Sequence, residues 1–276
     1  MRPARRLRRV ALTGAGVAIA AAFAAPYVVM LLDALKPAAE LRASPPRFLP
    51  VAWRPENFLE VVRDPAFRSA LRVSLTVALV STALAVAAAI PAAYHTARQR
   101  FRGRHAFLFL VLVTQMFSPT TLVVGLYREF FELGLVNTSA ALILTNAAFN
   151  LAFAVWILRA FFASIPREIE EAAEVDGCSR LGALVRVVLP LARPAIVTAA
   201  IFAFIAAWNE YIVALTLMTD ADMKPLTVGI TSYVTAYVQH WNLLFAASIL
   251  AIVPVVILFA VIEPYLVSGL TAGSVK

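Results

Sequence analysis

Six apolar runs, at about residues 10–35, 69–94, 105–127, 138–162, 195–218 and 242–267, leave this chain few ways to fold. Each is long enough to cross roughly 30 Å of hydrocarbon as a helix. The pattern predicts an all-α membrane protein with six transmembrane helices. Composition agrees: 62% of residues are hydrophobic and only 14% charged, with a mean hydropathy of +0.83, beyond the range of an ordinary soluble domain. A single cysteine, Cys178, excludes an internal disulfide and any cysteine metal cluster.

The first run follows Arg2, Arg5, Arg6, Arg8 and Arg9, so a cleaved signal peptide ending near Ala22-Phe23-Ala24 is a competing reading. Its continuation through Tyr27-Val28-Val29-Met30-Leu31-Leu32 favours a retained span. A net charge of +8 would suggest nucleic acid in a soluble protein, but here the arginines sit in loops beside apolar runs. With the N-terminus inside, fifteen lysines and arginines fall on the inner side and eight on the outer. The positive-inside rule therefore places both termini, and the connection between spans four and five, in the cytoplasm. The expected organisation is a cytoplasmic N-terminus at 1–9, a six-span domain at 10–267 with its core at about 69–267, and a cytoplasmic tail at 268–276.

That fourth connection, residues 164–194, is the most strongly polar segment between two apolar runs. Pro166 suits a first helical turn, and Glu168, Glu170, Glu171 and Glu174 complement the positive end of the helix dipole. Ile169, Ala172, Ala173 and Asp176 fall on one face, and Gly177 can end the helix in a left-handed conformation. Ser179 can cap a second helix, with Leu181, Leu184, Val185 and Val188 on one face until Pro190 stops it. A short helix with a small-residue face, held between spans, is suited to docking.

Catalytic signals are missing. None of Lys36, Lys224 and Lys276 follows a glycine, so no Walker A loop can be written. His95, His105 and His240 are scattered and form no metal motif, and Gly177-Cys178-Ser179 does not continue as a nucleophile elbow. No catalytic or metal-ligating residue is assigned. Polar residues within the runs are more informative, because each is costly in lipid and should face protein or water. Gln115 and Ser118 in span three, Asn146 and Asn150 in span four, and Asn209 and Glu210 in span five are the candidates. They serve either as interhelical hydrogen bonds or as the lining of a pathway. Ala203, Ala206, Ala207 and Ala214 share a helical face with Glu210 and predict a closely packed interface there.

The spacing Glu171-Ala172-Ala173, three residues, Gly177, nine residues, Val187, one residue, Leu189-Pro190 resembles the EAA loop, E-A-A-x3-G-x9-I-x-L-P, of bacterial ABC importer permeases, with Val for Ile. Ala207-Trp208-Asn209-Glu210-Tyr211 resembles span five of the maltose-type carbohydrate importers. Gly269 to Lys276 resembles the tail of their G-type subunit, G-L-T-A-G-A-V-K-G, without the last Gly. The resemblance covers essentially the whole chain.

It implies the type I ABC importer permease fold, with 164–194 as a cytoplasmic coupling loop. Glu171, Ala172, Ala173, Gly177, Leu189 and Pro190 would couple to ATPase subunits, and Gly269, Leu270, Thr271, Ala272 and Gly273 would contact them through the tail. The implied partners are a second homologous permease, two ATP-binding subunits, an extracytoplasmic solute-binding protein and the lipid bilayer. No cofactor is expected on this chain, because ATP and Mg would bind the ATPase subunits. The expected location is the bacterial cytoplasmic membrane and the expected cargo a sugar or sugar-like solute. The alternatives are a self-sufficient secondary transporter or channel, and an intramembrane enzyme for which no catalytic group is present.

Overall fold

In a computed structural model, residues 3–272 apart from 236 and 238 are described, with side chains described for 11–260. The elements in order are α1 (Pro3–Ala34), α2 (Ala38–Leu41), α3 (Glu56–Arg63), α4 (Pro65–Arg98), α5 (Arg104–Thr114), α6 (Pro119–Glu132), α7 (Ser139–Ser164), α8 (Arg167–Val175), α9 (Arg180–Ala183), a π-helical segment (Leu184–Val188), α10 (Leu189–Leu191), α11 (Arg193–Trp208), α12 (Ile212–Leu217), a 3-10 turn (Ala221–Met223), α13 (Leu226–Gly229), a second 3-10 turn (Ile230–Tyr233) and α14 (Trp241–Ala272). Four segments are long and apolar enough to cross a membrane: Ala11–Ala34, Pro65–Arg98, Ser139–Ser164 and Trp241–Ala260. Two bent pairs, α5 with α6 (95°) and Arg180–Leu191 with α11 (75°), bring the total to six when each pair is counted as one span. The chain is an all-α, multi-pass membrane protein.

Two spans differ from the straight helices that the sequence predicts. Span three breaks at Gln115–Ser118, because Pro119 cannot donate to the preceding turn and begins a new helix at its N-terminus, behind an extended Ser118. Span five breaks at Asn209–Tyr211, so Ala214 belongs to α12 and shares no continuous helical face with Ala203, Ala206 and Ala207 of α11. The tail also differs: helix α14 runs on to Ala272, so Gly269, Leu270, Thr271 and Ala272 are helical in backbone, and Gly273 lies outside the described residues.

The chain divides into two compact units, residues 1–67 with 230–253, and 68–229 with 254–276. In the first, Asn57 of α3 is a buried hub. Its amide donates to the carbonyls of Ala34 (2.8 Å) and Lys36 (2.9 Å), and its oxygen accepts from Asn242 (3.0 Å). Lys36 is buried because Asp33 (2.7 Å) and the Arg47 carbonyl (2.6 Å) satisfy its ammonium. The Tyr233 hydroxyl donates to Asp64 (2.6 Å); burial first, and then that carboxylate, push its pKa well above the ordinary tyrosine value.

The second unit carries two apolar clusters. One joins Ala89 and Ala93 of α4, Ala154, Leu158 and Phe162 of α7, Val188, and Ala195 and Ala199 of α11. The other joins Val73 and Val77 of α4, Phe130 of α6, Ala141 and Leu142 of α7, Val213 and Leu217 of α12, and Val228. Helix α7 runs through both, and between them Thr145, Asn146, Phe149 and Asn150 line a cavity. Alanine is frequent where α4, α7 and α11 meet, which lets the backbones approach closely in an environment without a hydrophobic drive between helices.

Candidate functional site

The 164–194 stretch folds as a helix, a turn and a second, irregular helix. α8 starts after Pro166 and ends where Gly177 takes a left-handed φ of +88°. The Gly177 N–H donates to the Glu174 carbonyl (3.0 Å) and the Cys178 N–H to the Ala173 carbonyl (2.9 Å), so the last carbonyls of α8 are satisfied by the turn itself. Ser179 caps α9, its Oγ accepting from the Gly182 N–H at 3.1 Å.

Beyond the cap, two expectations fail. Leu184 and Val188 are buried while Leu181 is 70% exposed and Val185 is also exposed. The reason is the π segment Leu184–Val188, whose i→i+5 bonding winds more slowly than the α period and splits the expected shared face. Pro190 does not stop the helix either. It lies within the continuous Arg180–Leu191 helix, directly after the π segment, and the helix ends only at Ala192. The stretch thus presents Glu171, Ala172, Gly177 and Pro190 as exposed, Leu189 as half-buried, and Ala173 as buried.

What holds α8 in place is an ion pair. Glu170 reaches the end of α4, where its Oε1 lies 2.5 Å from Arg98 Nη2 and its Oε2 accepts from the Tyr94 hydroxyl at 2.9 Å. The side chains of Arg98 and Glu170 are only 8% and 13% exposed. Arg98 also donates to the Ile165 carbonyl (2.9 Å), and Arg167 donates back to the Arg98 carbonyl (2.9 Å). Tyr94 is fixed in turn by an edge-on contact with Phe162, ring centroids 5.9 Å apart. Sequence reasoning assigned Glu170 to the helix dipole and Arg98 to loop charge. The signal available was weak: a Glu one turn into α8 and an Arg ending an apolar run, 72 residues apart, with no local periodicity to link them.

The polar residues singled out within the spans come together more closely than their spacing predicts. A cavity of about 290 Å³ is lined by Gln115, Ser118, Asn146, Asn150 and Glu210, together with Thr114 and Thr145. Both span breaks contribute: Gln115 and Ser118 come from the first, Glu210 from the second. Asn146 and Asn150 each donate to a carbonyl one turn back, those of Leu142 (2.9 Å) and Asn146 (2.8 Å). Gln115 donates to the Phe149 carbonyl (3.2 Å), joining the break to α7. Asn209 does not line the cavity; its amide donates back to the Ile205 carbonyl (2.9 Å).

Glu210 has a structural task as well. Its carboxylate accepts from the backbone N–H groups of Val213 (2.7 Å) and Ala214 (2.9 Å), the donors that the first turn of α12 leaves open. Its own carbonyl accepts from the Thr227 hydroxyl (2.7 Å). A carboxylate low in a membrane protein is thereby supplied with donors rather than with a counter-ion.

Comparison with known proteins agrees with this arrangement. Residues 81–271 match the family described as binding-protein-dependent transport system inner membrane component. The chain is 38% identical over 251 residues to the sulfoquinovosyl glycerol transport system permease protein SmoH of Agrobacterium fabrum, covering 91% of this chain and 88% of that protein. It is 34% identical to the trehalose/maltose transport system permease protein MalG of Thermococcus litoralis, covering 80% and 81%. The fold is similar to that of a chain in a bacterial ABC transporter involved in the import of the acidic polysaccharide alginate, with a TM-score of 0.82 over 96% of this chain and 98% of that one at 23% identity. A family match over residues 81–271, with relatives aligned over four fifths or more of both chains, supports an importer subunit rather than a self-sufficient transporter or channel: the chain belongs to the binding-protein-dependent transport system inner membrane components, and is a transport subunit of an ABC importer.

Proposed function

We propose that this chain is the G-type permease of an ATP-driven importer that carries a sugar or sugar-like solute across the bacterial cytoplasmic membrane by alternating access. Its partners are a second homologous permease, two ATP-binding subunits that hold ATP and Mg, and an extracytoplasmic binding protein. Both termini and residues 164–194 lie in the cytoplasm. Glu171, Ala172, Ala173, Gly177, Leu189 and Pro190 couple to the ATPase subunits, with Gly269 to Gly273 as a second contact.

The observation that carries this reading is the α8–Gly177 turn. The E-A-A-x3-G spacing falls on a mostly exposed helix closed by a left-handed glycine, and the small exposed side chain of Ala172 beside Gly177 allows close approach to a groove, while Ala173 packs inward. The sugar assignment is supported by the relatives, which are permeases of sulfoquinovosyl glycerol and trehalose/maltose transport systems. The cavity formed by Gln115, Ser118, Asn146, Asn150 and Glu210 offers hydrogen-bonding groups without an excess of charge, which suits hydroxyl-rich cargo.

The test is to co-express the chain with the neighbouring transport genes, purify it by a tag on this subunit, and titrate the cognate binding protein with a panel of mono- and oligosaccharides. The expected result is co-purification of two ATPase subunits and a second permease, with sugar binding by the binding protein. A chain that purifies alone and transports alone would overturn the reading.

A further inference from the structure

Resting on that reading, we propose that Tyr94, Arg98 and Glu170 form a fixed joint that locks α8 to the end of α4, so that displacement of α8 is delivered along α4 to the 221–226 segment at its far end. Of the nine described residues of α8, Ala173 alone is buried. Glu170 lies one turn before it on the same side of the helix, so a small alanine contact and one largely shielded ion pair carry the attachment. Four polar links converge on the last turn of α4: Glu170 with Arg98, Tyr94 with Glu170, Arg98 with the Ile165 carbonyl, and Arg167 with the Arg98 carbonyl.

A buried ion pair is a poor source of stability compared with apolar packing, because both charges lose their hydration. Direction comes from the hydrogen bonds around it: Tyr94 to Glu170, Arg98 to the Ile165 carbonyl and Arg167 to the Arg98 carbonyl specify one register between helices and resist sliding, which apolar contacts alone do not. That is the property a joint needs if motion of α8 is to become motion of α4 instead of slippage between them.

The far end of α4 is held by two hydrogen bonds. Ser69 Oγ donates to the Asp222 carbonyl (3.0 Å), and the Leu226 N–H donates to buried Ser74 Oγ (2.7 Å). These attachments lie near the two ends of α4, one helix of 34 residues and about 50 Å in all. A methyl added at Gly229 would stand 2.9 Å from the Ala70 Cβ, so α13 is in direct contact with the same end of the rod. Pro91 removes one rung of its hydrogen-bond ladder, one turn before Tyr94, and leaves the joint itself intact. Tyr94, Arg98 and Glu170 are thus positioning residues, acting on the transport cycle through α4.

The experiment reads the far end directly. In the complete complex reconstituted in nanodiscs, with Cys178→Ser as background, an environment-sensitive fluorophore is placed at Asp222→Cys, and its emission is recorded before and after trapping with Mg-ATP and vanadate. With the joint intact, trapping shifts the emission. Glu170→Gln and Arg98→Gln are expected to keep the ATPase subunits bound while the shift falls at least fivefold, Tyr94→Phe to reduce it partly, and the exchange Arg98→Glu with Glu170→Arg to restore much of it. A shift of full size in the single variants would overturn the joint. So would single variants that lose the ATPase subunits and are not rescued by the exchange, since the pair would then serve packing only. If the intact joint binds the ATPase subunits and gives no shift, delivery of motion along α4 fails; if it binds no ATPase subunit, it is the importer reading that fails.

Discussion

Gly177 is the residue where local conformation and the proposed coupling meet. Its φ of +88° is open to glycine and, at a cost of about 1–2 kcal/mol, to asparagine, while proline is confined near −65°. A Cβ built there meets no atom within 4 Å, so the penalty comes from the backbone and not from packing. Gly177→Asn is therefore expected to keep most uptake, and Gly177→Pro to abolish it while the protein still reaches the membrane. Uptake by whole cells, set beside immunoblots of the membrane fraction, measures both. At this scale the sequence was informative wherever the chemistry is local. Glycine after a helical pattern announced the turn, and Ser179 announced its cap, because both act within four residues. Glu170 does lie in the first turn of α8, where the sequence put it, but its partners Tyr94 and Arg98 arrive only through packing of α4 against α8, a relation that no spacing in the chain encodes.

Among the elements, the broken spans decide where the polar residues gather. Ser118-Pro119 held a legible sign of the first break, since a proline prefers the start of a helix to its interior, yet an apolar run of adequate length outweighed it. The second break had a subtler sign in Asn209-Glu210: side chains that bond to nearby backbone compete with the helix ladder. Once span five is interrupted, the first N–H groups of α12 need an acceptor, and Glu210 supplies it. Glu210→Ala is accordingly expected to destabilise the purified protein by about 1–2 kcal/mol through loss of this cap, and to lower uptake. Glu132→Ala, which removes an exposed i,i+4 pair with Arg128, is expected to leave both unchanged. Thermal unfolding in nanodiscs, read beside uptake, separates the two variants. Equal effects would show that the cap carries no weight.

For the whole molecule, the number of spans and their order were legible, because each needs its own apolar run and the bilayer sets its length. Their bends were not, since a bend is settled by which neighbouring side chains satisfy the interrupted backbone. Orientation follows from charge, and α4 makes it testable with few substitutions. The helix is about 50 Å long, more than the roughly 30 Å of hydrocarbon, so the segments tied to its two ends emerge on opposite sides of the membrane. Asp222 is bonded near the start of α4, at Ser69, and the 164–194 stretch is tied to its end at Arg98. The single cysteine, Cys178, lies one residue beyond Gly177 in that stretch and is a half-exposed native reporter. If the positive-inside count holds, a membrane-impermeant maleimide will label Cys178 in inside-out vesicles and leave it unlabelled in right-side-out ones. In the variant carrying Cys178→Ser and Asp222→Cys the pattern will invert. Labelling of Cys178 from the outer face would reverse the orientation and remove the 164–194 stretch from reach of any cytoplasmic ATPase, whereas the expected pattern places α8 where an ATP-driven partner can push on it.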